Sequence, residues 1–471
     1  MRRKPMHRQV HSKRRLGVPL GLAAALALGA CGGGGGSEGA SAPGKIPQPT
    51  RGQMAAAGLE KLPIAPESKR LDITAPKFSN PTKITNPLFP ISRLQSAIFS
   101  GRVDGKPFHT ETTLLPETRH IEWAPGHQVE ARVSQYFAYL DGRIEEVALD
   151  YYAQADDGSV WYLGEDVYDY DRRGLVDSTL GSWLAGREGP VEMIMPADPK
   201  VGDVHRAENI PGIAFEEIEI KSTGRTFDGP PGPVKGAKVS RELHDDGSYS
   251  DKVFAPGYGE FYSGHDGDVE AMALAVPTDA LKGGPPAALT ALSRAAGHMI
   301  DPARSGKWAS ASTAARAASR AWATYQGEQV PPRLAAEMNR ALKAVSAAIA
   351  KRDRARAGSA AIDVAQSALD LELRYRPQAD IDLGRFELWA NQVLVDAAAG
   401  DVGAVRGDTA TLEWIRDRFA TTIDRADLTA IDAHLVALRE TVANESEDLK
   451  AAALEGRALR RPLELRPVAR G

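Results

Sequence analysis

Val129-Glu130-Ala131-Arg132-Val133, the turn pair Asp141-Gly142, and then Val147, Leu149, Tyr151 and Ala153 at every second position form the stretch on which the fold turns. Apolar side chains at alternate positions share one face of an extended chain, because the side-chain period of a strand is two. An Asp-Gly pair between two such segments supplies the positive backbone angles of a tight hairpin turn. The stretch therefore reads as an antiparallel hairpin with one apolar face. Working outward, Asp-Gly pairs recur at Asp104-Gly105, Asp157-Gly158 and Asp246-Gly247, each between segments that alternate or carry β-branched and aromatic residues. Extended patterns at Ser159 to Tyr170, Leu175 to Trp183, Phe215 to Ser222, Ala237 to Leu243, Tyr249 to Phe254 and Val269 to Ala275 continue the series. Residues 70–276 are thus expected to form a mostly antiparallel β meander, a curved sheet or half-barrel. Its apolar face must be covered by a second layer, by its own curvature or by a ligand.

Pro277, Gly283-Gly284 and Pro285-Pro286 mark a linker over 277–286. Beyond it the apolar period changes from two to 3.6. Leu334, Met338, Leu342, Val345 and Ile349 fall on one helical face, Phe386, Trp389, Val393 and Ala397 on another, and Leu412, Ile415 and Phe419 on a third. Leu428, Ile431, Leu435, Leu438, Val442 and Leu449, at spacings of three, four and seven, read as the seam of the last helix, and Gly358-Ser359 and Gly400-Asp401 read as stop and cap signals between helices. The expectation is an all-α bundle of about six helices over 287–456, with 457–471 a disordered basic tail. The fold class is α+β multidomain, a β meander followed by a C-terminal helical bundle.

The amino terminus carries an address. Residues 1–30 hold seven Lys or Arg and no acid, and the apolar run Leu16–Ala30 is shorter than the roughly 20 residues that span a bilayer as a helix. A signal peptide over 1–30 is the expected reading. Leu28-Gly29-Ala30-Cys31 resembles the lipobox of bacterial lipoproteins, which implies diacylglyceryl attachment to Cys31 and cleavage before it. Residues 31–69, rich in Gly, Ser, Ala and Pro, are expected to be a flexible tether. The partner implied is the lipid bilayer, through acylated Cys31, on the extracytoplasmic side of the cell envelope. Ser12-Lys13-Arg14-Arg15-Leu16 leaves the general and twin-arginine export routes both open.

Asp150-Tyr151-Tyr152-Ala153-Gln154, Val160-Trp161-Tyr162-Leu163-Gly164-Glu165-Asp166, Gly181-Ser182-Trp183, Met195-Pro196-Ala197-Asp198-Pro199 and Phe254-Ala255-Pro256-Gly257-Tyr258-Gly259 resemble, over about Pro81 to Val276, a family of exported bacterial proteins, many of them lipoproteins without an assigned activity. The resemblance implies an envelope location and a β domain and carries over no catalytic or binding residue.

The net charge is −4, and without the seven basic residues of 1–30 it is −11, which leaves no basic stripe and argues against nucleic acid as a partner. Cys31 is the sole cysteine, so once acylated it leaves no disulfide, thiolate metal site, attached c-type haem or cysteine nucleophile. Trp123, Trp161 and Trp183, with Glu165, are candidates to line a pocket for an apolar or amphipathic ligand. Asp166, His265, Asp266 and Asp268 are candidate metal ligands, but the spacings match neither an EF-hand nor a zincin. Solvated loop acids and a hairpin turn at Asp266-Gly267 are the simpler account, and no cofactor is expected. His109, His120, His127, His205, His244 and His265 share the β region, where opposing strand positions could build a metal site that linear spacing does not reveal. The leading expectation is a non-catalytic envelope lipoprotein that binds a ligand or an envelope protein partner. The alternatives are a metal- or carboxylate-dependent hydrolase of an envelope substrate, using Glu165, Asp166 or His265, and a purely structural envelope protein.

Overall fold

The computed structural model describes residues 44–443 and 448–464, so the signal segment and Cys31 lie outside the described residues. A short helix α1 (Arg51–Ala56) precedes fourteen strands: β1 (Ser96–Val103), β2 (Lys106–Ala124), β3 (His127–Leu140), β4 (Arg143–Gln154), β5 (Val160–Tyr170), β6 (Val176–Ser178), β7 (Trp183–Leu184), β8 (Glu192–Met195), β9 (Val204–Ile210), β10 (Ala214–Gly229), β11 (Gly232–His244), β12 (Tyr249–Ala255), β13 (Gly259–His265) and β14 (Asp268–Val276). They form one antiparallel sheet in the order β6-β5-β4-β3-β2-β1-β14-β13-β12-β11-β10-β9, with β7 and β8 also paired to β5. The sheet is curved but not closed. Its hairpins turn on the Asp-Gly pairs, with positive φ at both residues of Asp104-Gly105, Asp141-Gly142 and Asp266-Gly267.

The tether expected over 31–69 is folded from residue 44 onward. Lys45 bridges Thr74, Thr50 and Gln53 form a reciprocal cap on α1, and Met54 and Leu59 bury against Phe215 of β10. Few as these apolar residues are, an exposed apolar spot on the sheet gives them a surface that offsets their ordering.

Eight helices follow among the described residues, two more than expected: α2 (Ala287–Ser305), α3 (Trp308–Tyr325), α4 (Pro332–Lys351), α5 (Arg354–Glu372), α6 (Gln378–Ala399), α7 (Val402–Phe419), α8 (Arg425–Ala443) and α9 (Leu449–Glu464). Gly400 ends α6 at φ 78° and Asp401 caps α7, as expected. Gly358-Ser359 does not divide helices. It lies inside α5, where Gly358 lets Val395 of α6 approach so closely that a Cβ would stand 2.8 Å from it; the break falls instead at Arg352 and the capping Asp353. The tail expected over 457–471 is helical through Glu464, with Leu459 buried. The 277–286 linker is docked, since Asp279 accepts hydrogen bonds from Tyr258 Oη (2.6 Å) and the Ala275 amide (2.8 Å). No helix of the described residues is long and apolar enough to cross a membrane.

The helices cover one face of the sheet. Ile98, Leu274 and Val276 share a core with α2 to α5, and Tyr139 stacks on Trp389 of α6 at 5.3 Å. At the centre of this contact sits a buried ionic cluster. Arg385 of α6 reaches Glu111 of β2 (3.2 Å), Asp370 of α5 (2.8 Å) and Asp382 (3.1 Å), while Arg418 of α7 pairs with Glu111 and donates to Gln135 (2.6 Å).

His109 stands 3.5 Å from Glu111. Burial alone would depress the imidazole, but the hydrogen bond to Glu111 and the charges of Glu337 and Asp370 outweigh it and raise its pKa to about 9. A histidine near 6.5 when unfolded and about 9 when folded gives stability that is complete below pH 6.5 and is lost as pH climbs to about 9. Glu270, raised to about 8 by burial and by Glu260, has the same sign, since the fold favours its neutral form. The melting midpoint is therefore expected to fall between pH 6.5 and 9. His109 should account for about 2 kcal/mol of that loss, allowing for a side chain that is 22% exposed. His109→Gln should flatten the profile; an unchanged slope in that variant would refute the assignment.

Candidate functional site

The face of the sheet turned away from the helices is wrapped into its own interior. There β4 sends Glu146, Ala148, Asp150 and Tyr152 inward at alternate positions, and β3 sends Ser134 and Tyr136. The apolar partners of the same hairpin, Phe137 and Val147, point the other way and pack beneath Trp389 and Trp414 of the helices. The concave face carries apolar and aromatic side chains, as expected, and the carboxylates interleaved with them are what the alternating pattern did not announce.

The result is a cavity of about 160 Å³ reached by strands from all round the curve. Its wall holds seven carboxylates, Glu146, Asp150, Glu165, Glu208, Glu216, Glu260 and Glu270, and one ammonium, Lys252. Its remaining surface is largely aromatic, including Phe89, Phe99, Tyr136, Tyr152, Tyr162 and Phe254. Tyr152 and Tyr162 stack at 4.9 Å, and Phe89 meets Tyr152 edge-on at 5.0 Å.

A bulge makes Glu165 part of this wall. Asp150 faces Glu165 and Tyr152 faces Tyr162, so two steps on β4 match three on β5, and the extra residue puts Tyr162 and Glu165 on one face. The bulge is seated at Gly164, whose φ is 125°. Asp166, the next residue, points to the opposite face, where it pairs with Arg119 (2.9 Å) and accepts from Tyr151 Oη (2.6 Å).

Charge cannot be spread freely in such a place, because an ionised carboxylate taken out of water without a partner is very costly. Burial and the neighbouring charge of Asp150 push the Glu165 carboxyl well above the usual range, and Glu165 hydrogen-bonds to Glu208 and Tyr162. Glu165 and Glu208 thus meet carboxyl to carboxyl. Glu208 is held from behind by Trp183 Nε1 (3.2 Å), and Asp150 accepts from Tyr162 Oη (2.6 Å). Lys252 reaches Glu242 (3.1 Å), Glu260 (3.9 Å) and Glu216 (4.0 Å). Burial would lower the Lys252 ammonium, but Glu216, Glu242 and Glu260 outweigh it and hold the charge firmly. Lys252 is thus the one cation set against the seven acids of the wall.

No protein-family model and no curated protein matches this chain.

Of the residues singled out from sequence, Glu165 lines the cavity and the three tryptophans do not. Trp183 backs it, edge-on to Tyr162 at 5.4 Å; Trp161 is buried with its Nε1 on Ser159 (2.8 Å); and Trp123 packs against Phe78. His265, Asp266 and Asp268 sit at the β13–β14 hairpin, where His265 Nδ1 meets the Tyr249 carbonyl (2.6 Å) and Asp268 accepts the Asp104 amide (3.0 Å). Asp166 and His265 therefore share no cleft with Glu165. The residues that sequence reasoning passed over are Asp150, Glu208, Glu216, Lys252 and Tyr162. Each reads locally as the solvated side of a half-exposed strand, and only the closure of the sheet turns that side inward.

Proposed function

We propose that this chain is a non-catalytic lipoprotein of the cell envelope, held on the extracytoplasmic side through acylated Cys31, whose sheet interior binds a small organic cation with an apolar body. The observation that carries the ligand class is the wall of seven carboxylates and one ammonium interleaved with aromatic rings. Rings attract a desolvated cation by up to about 2 kcal/mol, and a carboxylate adds a charge-assisted hydrogen bond. A cavity of about 160 Å³ matches the bulk of one aromatic ring, similar to the roughly 150 Å³ that accepts benzene in an engineered core. The Asp150, Glu165 and Glu208 end would receive the charge, and Tyr152, Tyr162 and Phe89 the apolar body. The lipobox resemblance at Leu28 to Cys31 supports the anchor.

Burial holds the Glu165 carboxyl toward its neutral form and a bound cation would favour its ionised form, so affinity should rise with pH. Isothermal titration should find benzylammonium bound more than about tenfold tighter than benzyl alcohol, a difference of at least about 1.4 kcal/mol. The preference should grow from pH 6 to 8 and disappear in Glu165→Gln. Equal binding of the neutral and charged probes would remove the ligand assignment. Separately, Cys31→Ser should move the protein from the membrane to the aqueous fraction, and retention in the membrane would remove the anchor.

A further inference from the structure

We infer that Glu216, Glu242 and His244 form a site for a divalent transition-metal ion at the β10–β11 end of the sheet interior, with His244 Nδ1 and one oxygen from each carboxylate as ligands. The three side chains are buried and offer ligand atoms that all lie within 4.8 Å of one another. Strand register brings them together. Glu216 of β10 pairs with His244 of β11, Ile218 pairs with Glu242, and Glu242 and His244, two apart, share a face.

The histidine is set up as a ligand by what holds its far nitrogen. His244 Nε2 lies 2.9 Å from Ser250 Oγ, and that hydroxyl donates to Glu242 Oε2 at 3.2 Å. A hydroxyl has one proton to give, so toward the imidazole Ser250 accepts, and Nε2 carries the ring hydrogen. Nδ1 then presents a lone pair. It has no hydrogen-bond partner, its side chain is 3% exposed, and it points toward Glu216 Oε1 at 3.7 Å. A lone pair and two carboxylates thus converge, which is a donor set that suits a cation between them. This is the arrangement in which a hydrogen bond on one ring nitrogen orients the other toward a metal.

Lys252 serves these acids from one side only: its ammonium is bonded to Glu242 Oε2 and is 4.0 Å from Glu216, and the carboxyls of Glu216 and Glu242 hydrogen-bond to each other through a proton that a metal ion would replace. One imidazole with two carboxylates suits zinc, manganese or ferrous iron better than calcium or magnesium, which take all-oxygen shells. Three protein ligands leave room for a further ligand, and Glu216 is shared with the cavity wall.

The test uses the untagged full-length protein in detergent, stripped of metal and titrated with Zn²⁺ and Co²⁺. One equivalent of Zn²⁺ should bind, Co²⁺ should develop visible ligand-field bands, and a single imidazole Nδ1 resonance should shift. His244→Asn should abolish the bands and the stoichiometric binding, while Ser250→Ala, which only frees the ring, should weaken Zn²⁺ about 10- to 100-fold. Absence of stoichiometric binding in the wild type, or wild-type affinity in both variants, would overturn the site. Benzylammonium binding should survive His244→Asn, so failure of the metal site and failure of the amine reading are separable.

Discussion

Arg385→Met is expected to destabilise the protein by about 3–5 kcal/mol, with a melting midpoint lower by on the order of 5 °C for a folded body of this size. The guanidinium is fully buried and is the only group among the described residues that touches Glu111, Asp370 and Asp382 together. Removing it leaves Asp370 with Gln366 (3.0 Å) as its remaining side-chain donor, while Glu111 and Asp382 fall back on Arg418. Methionine fills the volume, so packing loss is small and the cost is that of buried anions left without a cation. Arg385→Lys keeps the charge but not the planar fork that serves three carboxylates at once, and should lose about half as much. Because Glu111 belongs to the sheet and Asp370, Asp382 and Arg418 to the helices, the variant should also separate the two parts into successive transitions by calorimetry. A single transition within 1 kcal/mol of wild type would show that the cluster neither stabilises nor couples them.

Periodicity carried the reading of the layers, and it did so because each signal was local. Asp141-Gly142 needs only its own backbone angles to turn a hairpin, and Leu334, Met338 and Val345 need only one helix to share a face. What the layers enclose depends on which face each covers, and no local pattern states that. Glu146 and Asp150 alternate with Val147 and Leu149 just as solvated residues would. Their burial follows from the curvature of the sheet, which closes that face into a cavity. Glu165 and Asp166 look like one acidic pair, yet the strand sends them to opposite faces, and a one-residue bulge decides which of them enters the cavity. Two signals were present and unread. Glu242 and His244 at a spacing of two in a strand must share a face, and Arg385 stands on the buried stripe of Ile381 and Leu388, where a cation needs partners. Their partners, Glu216 and Glu111, lie 26 and 274 residues away and come into reach only through register and docking.

Gly164→Ala tests the link between bulge and cavity. Two costs are superimposed at this position. A φ of 125° is open to glycine and strained for other residues by roughly 1–3 kcal/mol, and an added Cβ would stand 2.2 Å from the Trp183 carbonyl oxygen and 2.8 Å from Leu184 Cα. Those atoms belong to the β7 backbone, which pairs with Gly164 and Glu165, so relief requires β7 to move away. Movement of β7 carries Trp183 with it, and Trp183 both supports the Tyr162 ring and holds Glu208. The variant should therefore lose about 3 kcal/mol or more and also lose the charge preference for benzylammonium. Gly142→Ala separates the two costs, because Gly142 has φ 77° and nothing within 4 Å of its added Cβ. It should lose only about 1 kcal/mol and keep wild-type binding. If the two variants proved equally mild, the close approach of β7 would not be what seats the bulge, and the inward presentation of Glu165 would need another cause.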